Sequence, residues 1–316
     1  MSNKRGARPS VAAARRESAP STGGFQLPPA LGPEALIAGL PRSGTTLALT
    51  LLGELSRVIP LDEALREPEL RLANTSEDIA AITRRFLREQ RRLAQDEGIV
   101  WTFNKAGAVS SDQFDGPIRN EMRTRTVHLS WARIPHPFTP RSMLLLKQPV
   151  VFTAAIDVMA QIWPMVGIIR NPIAVLGSWN SVDFGIRQGR VVVPERLHPS
   201  LQQSLEAIPN QYDRQVALVH WFLGRLKEHL PAERLIRYED LIPSGGSILS
   251  VLVPEAASLR KSLETRNRPD AYDPRILLEV GERMLASEGP AWDLYSKAEA
   301  SALLDDMLSG GVSLVP

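Results

Sequence analysis

The sequence predicts an α/β fold of three layers, in which helices flank both faces of a central parallel sheet. Several short runs of the chain are continuously apolar, as strands are when both faces of their sheet are covered. Helical patterns separate these runs, which is the order expected of βαβ units. Of the 316 residues, 43% are hydrophobic, which is enough for a sizeable core. No repeat or linker divides residues 34–316, so we predict a single domain there.

Residues 1–33 differ in composition from the rest of the chain. They are rich in Arg, Ser, Ala, Pro and Gly, and Glu17 is their one acidic residue. Such a stretch cannot bury enough apolar surface to offset its conformational entropy. We predict a disordered basic tail, with an arm that contacts nucleic acid or another acidic partner as the alternative.

The composition excludes several kinds of function. The chain has no cysteine, which excludes disulfides, thiolate nucleophiles and cysteine-based metal sites. Its formal net charge of +2 is compatible with an anionic cofactor or acceptor, and we do not expect nucleic acid as a partner. No apolar run approaches the roughly 18 residues of a membrane span, and the first residues lack the apolar segment of a signal peptide. We therefore expect a cytoplasmic protein without a membrane partner.

The first half of the domain contains one predicted strand and two predicted helices. The strand is 35–38 (ALIA), which ends at Gly39. A helix follows a short loop, and its inward face is predicted to consist of Leu47, Leu51, Leu55 and Val58. The second helix is 77–97, with Ser76 as its N-cap. This helix carries five arginines, which we interpret as a solvated polar face, or alternatively as a site for an anionic acceptor. They are Arg84, Arg85, Arg88, Arg91 and Arg92.

The second half continues the alternation of strands and helices. Predicted strands are 143–147 (MLLLK), 165–170 (MVGIIR) and 234–238 (RLIRY). Helices are predicted over 151–162 and from Ile173 onward. A long helix is indicated by apolar residues at spacings of three and four, namely Val216, Val219, Leu223, Leu226 and Leu230.

A glycine-rich loop joins the first strand to the first helix. Gly39 and Gly44 have the spacing of a phosphate-binding loop, and the N–H groups at the following helix start can bind an anion. Thr45 stands where nucleotide triphosphatases require Lys, which argues against ordinary ATP or GTP hydrolysis. The predicted anion contacts are Arg42, Ser43, Gly44, Thr45 and Thr46.

A second anion-binding pattern follows the strand at 165–170. Arg170 ends this strand, and Ser178 comes eight residues later, about two helical turns on and on the same side. The guanidinium of Arg170 is a planar, bidentate donor. Two anion-binding patterns at adjacent strand ends suit a nucleotide with phosphates at both its 5′ and 3′ positions.

These motifs resemble those of sulfotransferases that use 3′-phosphoadenosine 5′-phosphosulfate (PAPS). Residues 41–47 (PRSGTTL) are similar to the 5′-phosphosulfate loop of that family, and Arg170 with Ser178 resembles its 3′-phosphate motif. Residues 237–241 (RYEDL) resemble a strand end at which the tyrosine, here Tyr238, lies near the adenine. Arg42 replaces the Lys of cytosolic members, so the chain is more similar to Golgi, tyrosylprotein and bacterial types.

The resemblance covers residues 35–242 and implies a P-loop-like fold. It also implies that PAPS is the co-substrate, that no metal is required and that residues 34–316 are the sulfotransferase domain. Residues 147–149 (KQP) are similar to the Lys-Asp-Pro of the family, whose Lys stabilises the transition state, although Gln148 departs from it. Lys147 and Arg42 would therefore supply the catalytic cations.

The proton acceptor is assigned by position. Glu63 stands 21 residues after Arg42, which is the offset of the glutamate base in tyrosylprotein-type members. Asp62 is close enough in sequence to compete for this role, and His128 and His136 are the alternative bases.

The acceptor itself stays open at this point. Segments 60–76, 104–141 and 181–210 are predicted to form its site, and a carbohydrate, a small metabolite or a peptide tyrosine would each be a possible acceptor. The remaining contacts to the 3′-phosphate would come from 260–261 or from 266–268. Two other functions remain as alternatives, a P-loop kinase for a small molecule and a non-catalytic nucleotide-binding protein of the same fold. The sequence predicts no oligomeric state.

Overall fold

Seven strands occur in the part of the chain that the computed structural model describes, which is residues 32–65, 67–108, 123, 125–267 and 272–309. They are β1 (Glu34–Gly39), β2 (Val58–Asp62), β3 (Ile99–Asn104), β4 (His128–Arg133), β5 (Met143–Lys147), β6 (Met165–Ile169) and β7 (Leu235–Arg237). Five of them form one sheet in the order β2-β5-β1-β6-β7, and every neighbouring pair is parallel. β3 and β4 form a separate antiparallel ladder.

Twelve α-helices occur in the same described ranges. They are α1 (Thr45–Gly53), α2 (Glu67–Leu70), α3 (Ser76–Asp96), α4 (Pro149–Ala154), α5 (Ile156–Ile162), α6 (Pro172–Trp179), α7 (Val192–Leu197), α8 (Pro199–Glu206), α9 (Gln211–His229), α10 (Tyr238–Leu241), α11 (Pro274–Ala286) and α12 (Lys297–Ser309). None of these helices is both long enough and apolar enough to cross a membrane.

Helices cover both faces of the five-stranded sheet. Successive residues of a strand point to opposite faces, and Ala35 and Ile37 of β1 pack with α1 and with residues 241–259 on one side. Leu36 and Ala38 pack with α3, α6, α9 and α11 on the other side. The prediction of an α/β fold with a central parallel sheet between helices is confirmed.

β2 is the main difference from the sequence-based elements. Val58 was expected on the face of a helix, but α1 ends at Gly53 and Val58 begins a buried strand. Pro60 within this run argues against a strand, because proline cannot donate to a ladder. β2 is the edge of the sheet, where that missing donor is tolerated. The helical interpretation of Val58 was therefore wrong, and β3 and β4 were not predicted either.

Smaller differences concern helix ends. The helix expected over 151–162 is divided into α4 and α5 at Ala155. The N-cap of α3 is Thr75 instead of Ser76, since Thr75 accepts from the N–H of Asp78, whose carboxylate accepts from the N–H of Thr75. The last predicted strand is shorter than expected, and Tyr238 begins α10.

The solvated face predicted for the arginines of α3 is wrong for two of them. Arg84 is buried, pairs with Glu34 and packs 4.4 Å from the ring centroid of Trp163. Arg91 is also buried and donates to the carbonyl of Ser142 at 3.0 Å. These two side chains fasten α3 to the sheet end opposite the carboxyl ends of the strands.

Candidate nucleotide and acceptor site

A cavity of about 790 Å³ opens at the carboxyl ends of the parallel strands. Glu63 directly follows β2, Lys147 ends β5, Arg170 directly follows β6 and Tyr238 directly follows β7, and all four line the cavity. The loop after β1 completes this edge of the lining. In open parallel sheets, ligands bind at the carboxyl ends of the strands, at the point where the connections from two neighbouring strands leave toward opposite faces of the sheet.

The loop at 40–44 is held in one conformation by neighbouring elements. The hydroxyl of Ser43 donates to the carbonyls of Leu40 and Ile168 at 2.8 and 2.7 Å. The indole of Trp179 donates to the carbonyl of Pro41 at 2.8 Å. Gly44 has φ +98°, and a Cβ on it would lie 2.7 Å from a ring carbon of Tyr238. The loop is therefore fastened to β6, to the end of α6 and to the ring of Tyr238.

The predicted anion contacts of this loop divide into two groups. Arg42, Gly44, Thr45 and Thr46 line the cavity, next to the start of α1. The side chain of Ser43 is fully buried and is used in the two carbonyl contacts described above. Its part in the site is thus to shape the loop.

Lys147 is a buried ammonium group with three partners. Its Nζ lies 2.6 Å from Asp62 Oδ1 and 2.9 Å from Glu63 Oε1, and it donates to the hydroxyl of Thr46 at 2.9 Å. Burial alone would lower the pKa of Lys147, but the two carboxylates raise it above its ordinary value. Lys147 is therefore charged at neutral pH and links β2, β5 and α1.

Glu63 is the carboxylate that faces the cavity. Its side chain is about a quarter exposed, and Oε2 lies 3.4 Å from Arg125 Nη2. Burial would raise the pKa of Glu63, but Lys147, Arg125 and Arg42 together lower it below its ordinary value of 4.5. Glu63 is thus ionised at neutral pH.

Backbone conformation also marks this edge of the sheet. Glu63 has φ +41° and Arg42 has φ +70°, and of the described non-glycine residues only Ala106 shares a positive φ. Left-handed backbone is costly for such residues and tends to occur at functional sites. Both of the unusual residues at this edge were predicted from the sequence to act in catalysis.

The alternative bases lie elsewhere. Asp62 is 1% exposed, contacts the buried ammonium group of Lys147 and is not part of the cavity lining. His128 lies on β4 and His136 in the connection to β5, and neither lines the cavity. The geometry therefore leaves Glu63 as the best placed of the predicted bases.

Arg170 is a cation that contacts neutral oxygen atoms. Its Nη1 donates to the carbonyl of Arg42 at 3.0 Å, and its Nε donates to Asn267 Oδ1 at 3.0 Å. Its guanidinium packs 4.4 Å from the ring centroid of Tyr238. Ser178, the other half of the predicted motif, accepts from Arg42 Nε at 3.1 Å. The two predicted anion-binding motifs thus contact each other within one cavity.

The C-terminal contacts predicted near the nucleotide are separated by the structure. Arg266 lines the cavity, and its N–H donates to the hydroxyl of Tyr238 at 2.9 Å. Arg260 donates to the carbonyl of Ala257, Lys261 pairs with Glu54 at 2.6 Å, and neither lines the cavity. Arg268 lies outside the described residues.

The cavity is strongly cationic. Seven of its described lining residues are basic and two, Glu63 and Glu264, are acidic. The basic residues are Arg42, Arg123, Arg125, Lys147, Arg170, Arg190 and Arg266. A chain whose formal net charge is only +2 thus concentrates positive charge at one cleft, which attracts anionic ligands.

Several lining residues were not identified individually from the sequence. Arg123 and Arg125 come from the segment 104–141, and Phe184 and Arg190–Val192 come from 181–210. Both segments were predicted to form the acceptor site, but no spacing in the sequence distinguishes these arginines from others. Their place at the cavity depends on contacts between segments far apart in the chain, such as the bridge between Arg123 and Val182.

A scan of the sequence against models of protein families finds no match, and a search of curated proteins finds none either.

Proposed function

We propose that this protein is a PAPS-dependent sulfotransferase with a P-loop-like nucleotide site. One observation carries the proposal: the loop after β1 and the motif after β6 line the same cationic cavity, where Arg42 contacts Ser178 and Arg170 contacts the carbonyl of Arg42. A single bound molecule with two separate phosphate-bearing groups would engage both motifs.

The residues present fit such a nucleotide. Arg42, Gly44, Thr45 and Thr46 would bind the 5′-phosphosulfate, aided by the N-terminus of α1. Arg170 and Ser178 would bind the 3′-phosphate, and the neutral oxygens that Arg170 now contacts leave its charge available to an anion. The ring of Tyr238 would lie beside the adenine.

Transfer requires one bond to form, one to break and one proton to leave. The oxygen of the acceptor hydroxyl bonds to sulfur, the bond between sulfur and the bridging oxygen of the 5′-phosphate breaks, and 3′-phosphoadenosine 5′-phosphate (PAP) leaves. Glu63 would take the proton of the hydroxyl, since it is ionised and faces the cavity. Lys147 and Arg42 would stabilise the charge that develops on the transferred group and on the leaving phosphate.

Lys147 is well placed for that role. Its contact with the hydroxyl of Thr46 keeps its charge at the start of α1, and its contact with Glu63 keeps it beside the proton acceptor. Both carboxylates that hold it are fixed before any ligand binds, so little reorganisation is needed during the reaction.

A non-catalytic PAP-binding protein is the second candidate. It is favoured by the pairing of both Glu63 oxygens, one with Lys147 and the other with Arg125, which weakens Glu63 as a base. A small-molecule kinase is less well supported, because Thr45 stands in the position of the lysine of nucleotide triphosphatases.

Transfer of radioactivity from [³⁵S]PAPS to a broad panel of hydroxyl compounds tests the proposal. We expect labelled product without magnesium, formed at least about a hundredfold more slowly with Glu63→Gln. Binding of PAP without label transfer to any acceptor would indicate the non-catalytic protein, and transfer from [γ-³²P]ATP with magnesium would indicate the kinase.

A further inference from the structure

One wall of the cavity is apolar. It is formed by Val150 at the start of α4, by Phe184, Ile186 and Val191 in the connection from α6 to α7, and by Val192 at the start of α7. Ile186 and Val191 belong to the large core on that side of the sheet. The wall is therefore supported from behind, whereas its outer residues face the opening.

The outer residues of this wall are unusually exposed. Phe184 is 37% exposed and Val192 is 74% exposed. The described residues include five exposed large hydrophobic side chains, and two of them line this one cavity. Single exposed hydrophobic residues need no explanation, but two that line the same cleft indicate a binding surface.

Arg125 connects this wall to the proton acceptor. Its guanidinium lies 5.0 Å from the ring centroid of Phe184 and 4.4 Å from that of Phe103, and it is 3.4 Å from Glu63. Because Arg125 contacts both Glu63 and Phe184, a molecule whose hydroxyl lies at Glu63 can extend along Arg125 to Phe184.

Arg190, which directly precedes Val191 in sequence, already has a carboxylate partner. Arg190 donates to Glu195 Oε2 from Nε at 2.8 Å, and the N–H of Val191 donates to Glu195 Oε1 at 2.5 Å. These contacts order the start of α7. The five described side chains that form the wall are apolar, so they themselves offer no hydrogen bond to the many hydroxyls of a sugar.

We propose that the acceptor is a small hydroxyl compound with an apolar body, which packs on Phe184, Ile186, Val191 and Val192, and that it is not a glycan. This inference rests on the proposed function and selects among the acceptors that the sequence left open. It assigns Phe184 and Val192 as specificity-determining residues.

Calorimetric titration with 2-naphthol and with methyl β-D-glucopyranoside tests the inference, with and without saturating PAP. We expect 2-naphthol to bind measurably and the glucoside not to bind. Val192→Ser should weaken 2-naphthol binding about three- to tenfold, because apolar contact area is lost. Leu72→Ser is the matched control, since Leu72 is 79% exposed and lies outside the cavity lining.

The outcomes separate this inference from the proposed function. Tighter binding of the glucoside, or equal effects of Val192→Ser and Leu72→Ser, would overturn the apolar acceptor even if PAP binds. Failure of PAP to bind would overturn the proposed function, and the titration of the nucleotide-free protein would still decide whether the wall binds an apolar hydroxyl compound.

Discussion

At the residue scale, the proposed sulfuryl transfer depends on Lys147, a buried lysine that contacts two carboxylates with different surroundings. Asp62 is almost fully buried, while Glu63 is about a quarter exposed at the cavity. Lys147→Ala would remove the cation that pairs with the buried carboxylate of Asp62, so it is expected to destabilise the protein. Glu63 is the better residue to substitute, because a loss of function there can be separated from a loss of folding.

Glu63→Gln should reduce turnover by roughly 10²- to 10⁴-fold, since the amide keeps the size of the side chain but cannot accept the proton. PAP affinity should hardly change. Glu264→Gln is the matched control, because it removes the other carboxylate of the cavity lining. Turnover is measured with [³⁵S]PAPS at saturating concentrations, and equal losses in the two variants would contradict the assignment of Glu63 as the base.

The pH dependence of turnover should distinguish a carboxylate from an imidazole base. The pKa of Glu63 lies below its ordinary value of 4.5, so Glu63 stays deprotonated as the pH falls from 8 to 5.5. Turnover should therefore show no acid limb in this range. Both substrates must be saturating, because a phosphate monoester titrates near pH 6. A limb centred at about pH 6.5 would instead indicate a histidine base.

At the element scale, the loop at 40–44 depends on contacts from three other elements. The hydroxyl of Ser43 donates to the carbonyl of Ile168 in β6, and the indole of Trp179 at the end of α6 donates to the carbonyl of Pro41. The ring of Tyr238 packs on Gly44. Ile168 and Trp179 lie within two residues of Arg170 and Ser178 in sequence, and Tyr238 itself lines the cavity. The loop is therefore positioned by the assembled sheet, and substitutions that separate Gly44 from Tyr238 should disturb binding.

Gly44→Ala should destabilise the protein and abolish most PAP binding, because the new Cβ would meet the Tyr238 ring at 2.7 Å as well as strain a backbone at φ +98°. Gly98→Ala is the matched control, since Gly98 has φ +68° with nothing within 4 Å of the added Cβ. The control should cost about 1–2 kcal/mol of unfolding free energy with unchanged PAP binding. Chemical denaturation and PAP titration of both variants check this, and similar behaviour of the two would argue against the Tyr238 contact.

The strands and loop that carry the nucleotide motifs could be predicted because their signals are local. An apolar run such as that of β5, and a glycine spacing such as that of Gly39 and Gly44, can each be read within a few residues. β2 was missed because Val58 continues the helical spacing of Leu47, Leu51 and Leu55, and the β3–β4 ladder has no short turn to indicate it. Arg125 and Phe184 could not be assigned from sequence, because their place at the cavity depends on contacts between segments far apart in the chain.

At the scale of the whole molecule, the parallel sheet brings distant residues to one edge. Thr46 and Lys147 are 101 residues apart in sequence and hydrogen-bonded in the fold, and Arg42 and Ser178 are 136 apart. Seven basic side chains and two acidic ones are among the described residues that line the resulting cavity, so the proposed nucleotide and acceptor would both bind in one positive field. The central claim is that this cavity binds a nucleotide through both of its phosphate-bearing positions.

The change in melting temperature on adding PAP, compared with AMP and ATP without magnesium, tests that claim most directly. A ligand that binds only the folded protein raises its melting temperature, and at a fixed concentration the shift grows with the logarithm of its affinity. We predict a clearly larger shift for PAP than for AMP or ATP, and a reduced PAP shift in Arg170→Ala, which should lose about 1.5–3 kcal/mol of binding. Arg260→Ala, outside the cavity lining, should keep the full shift. Equal shifts from PAP and AMP, unaffected by Arg170→Ala, would contradict the account.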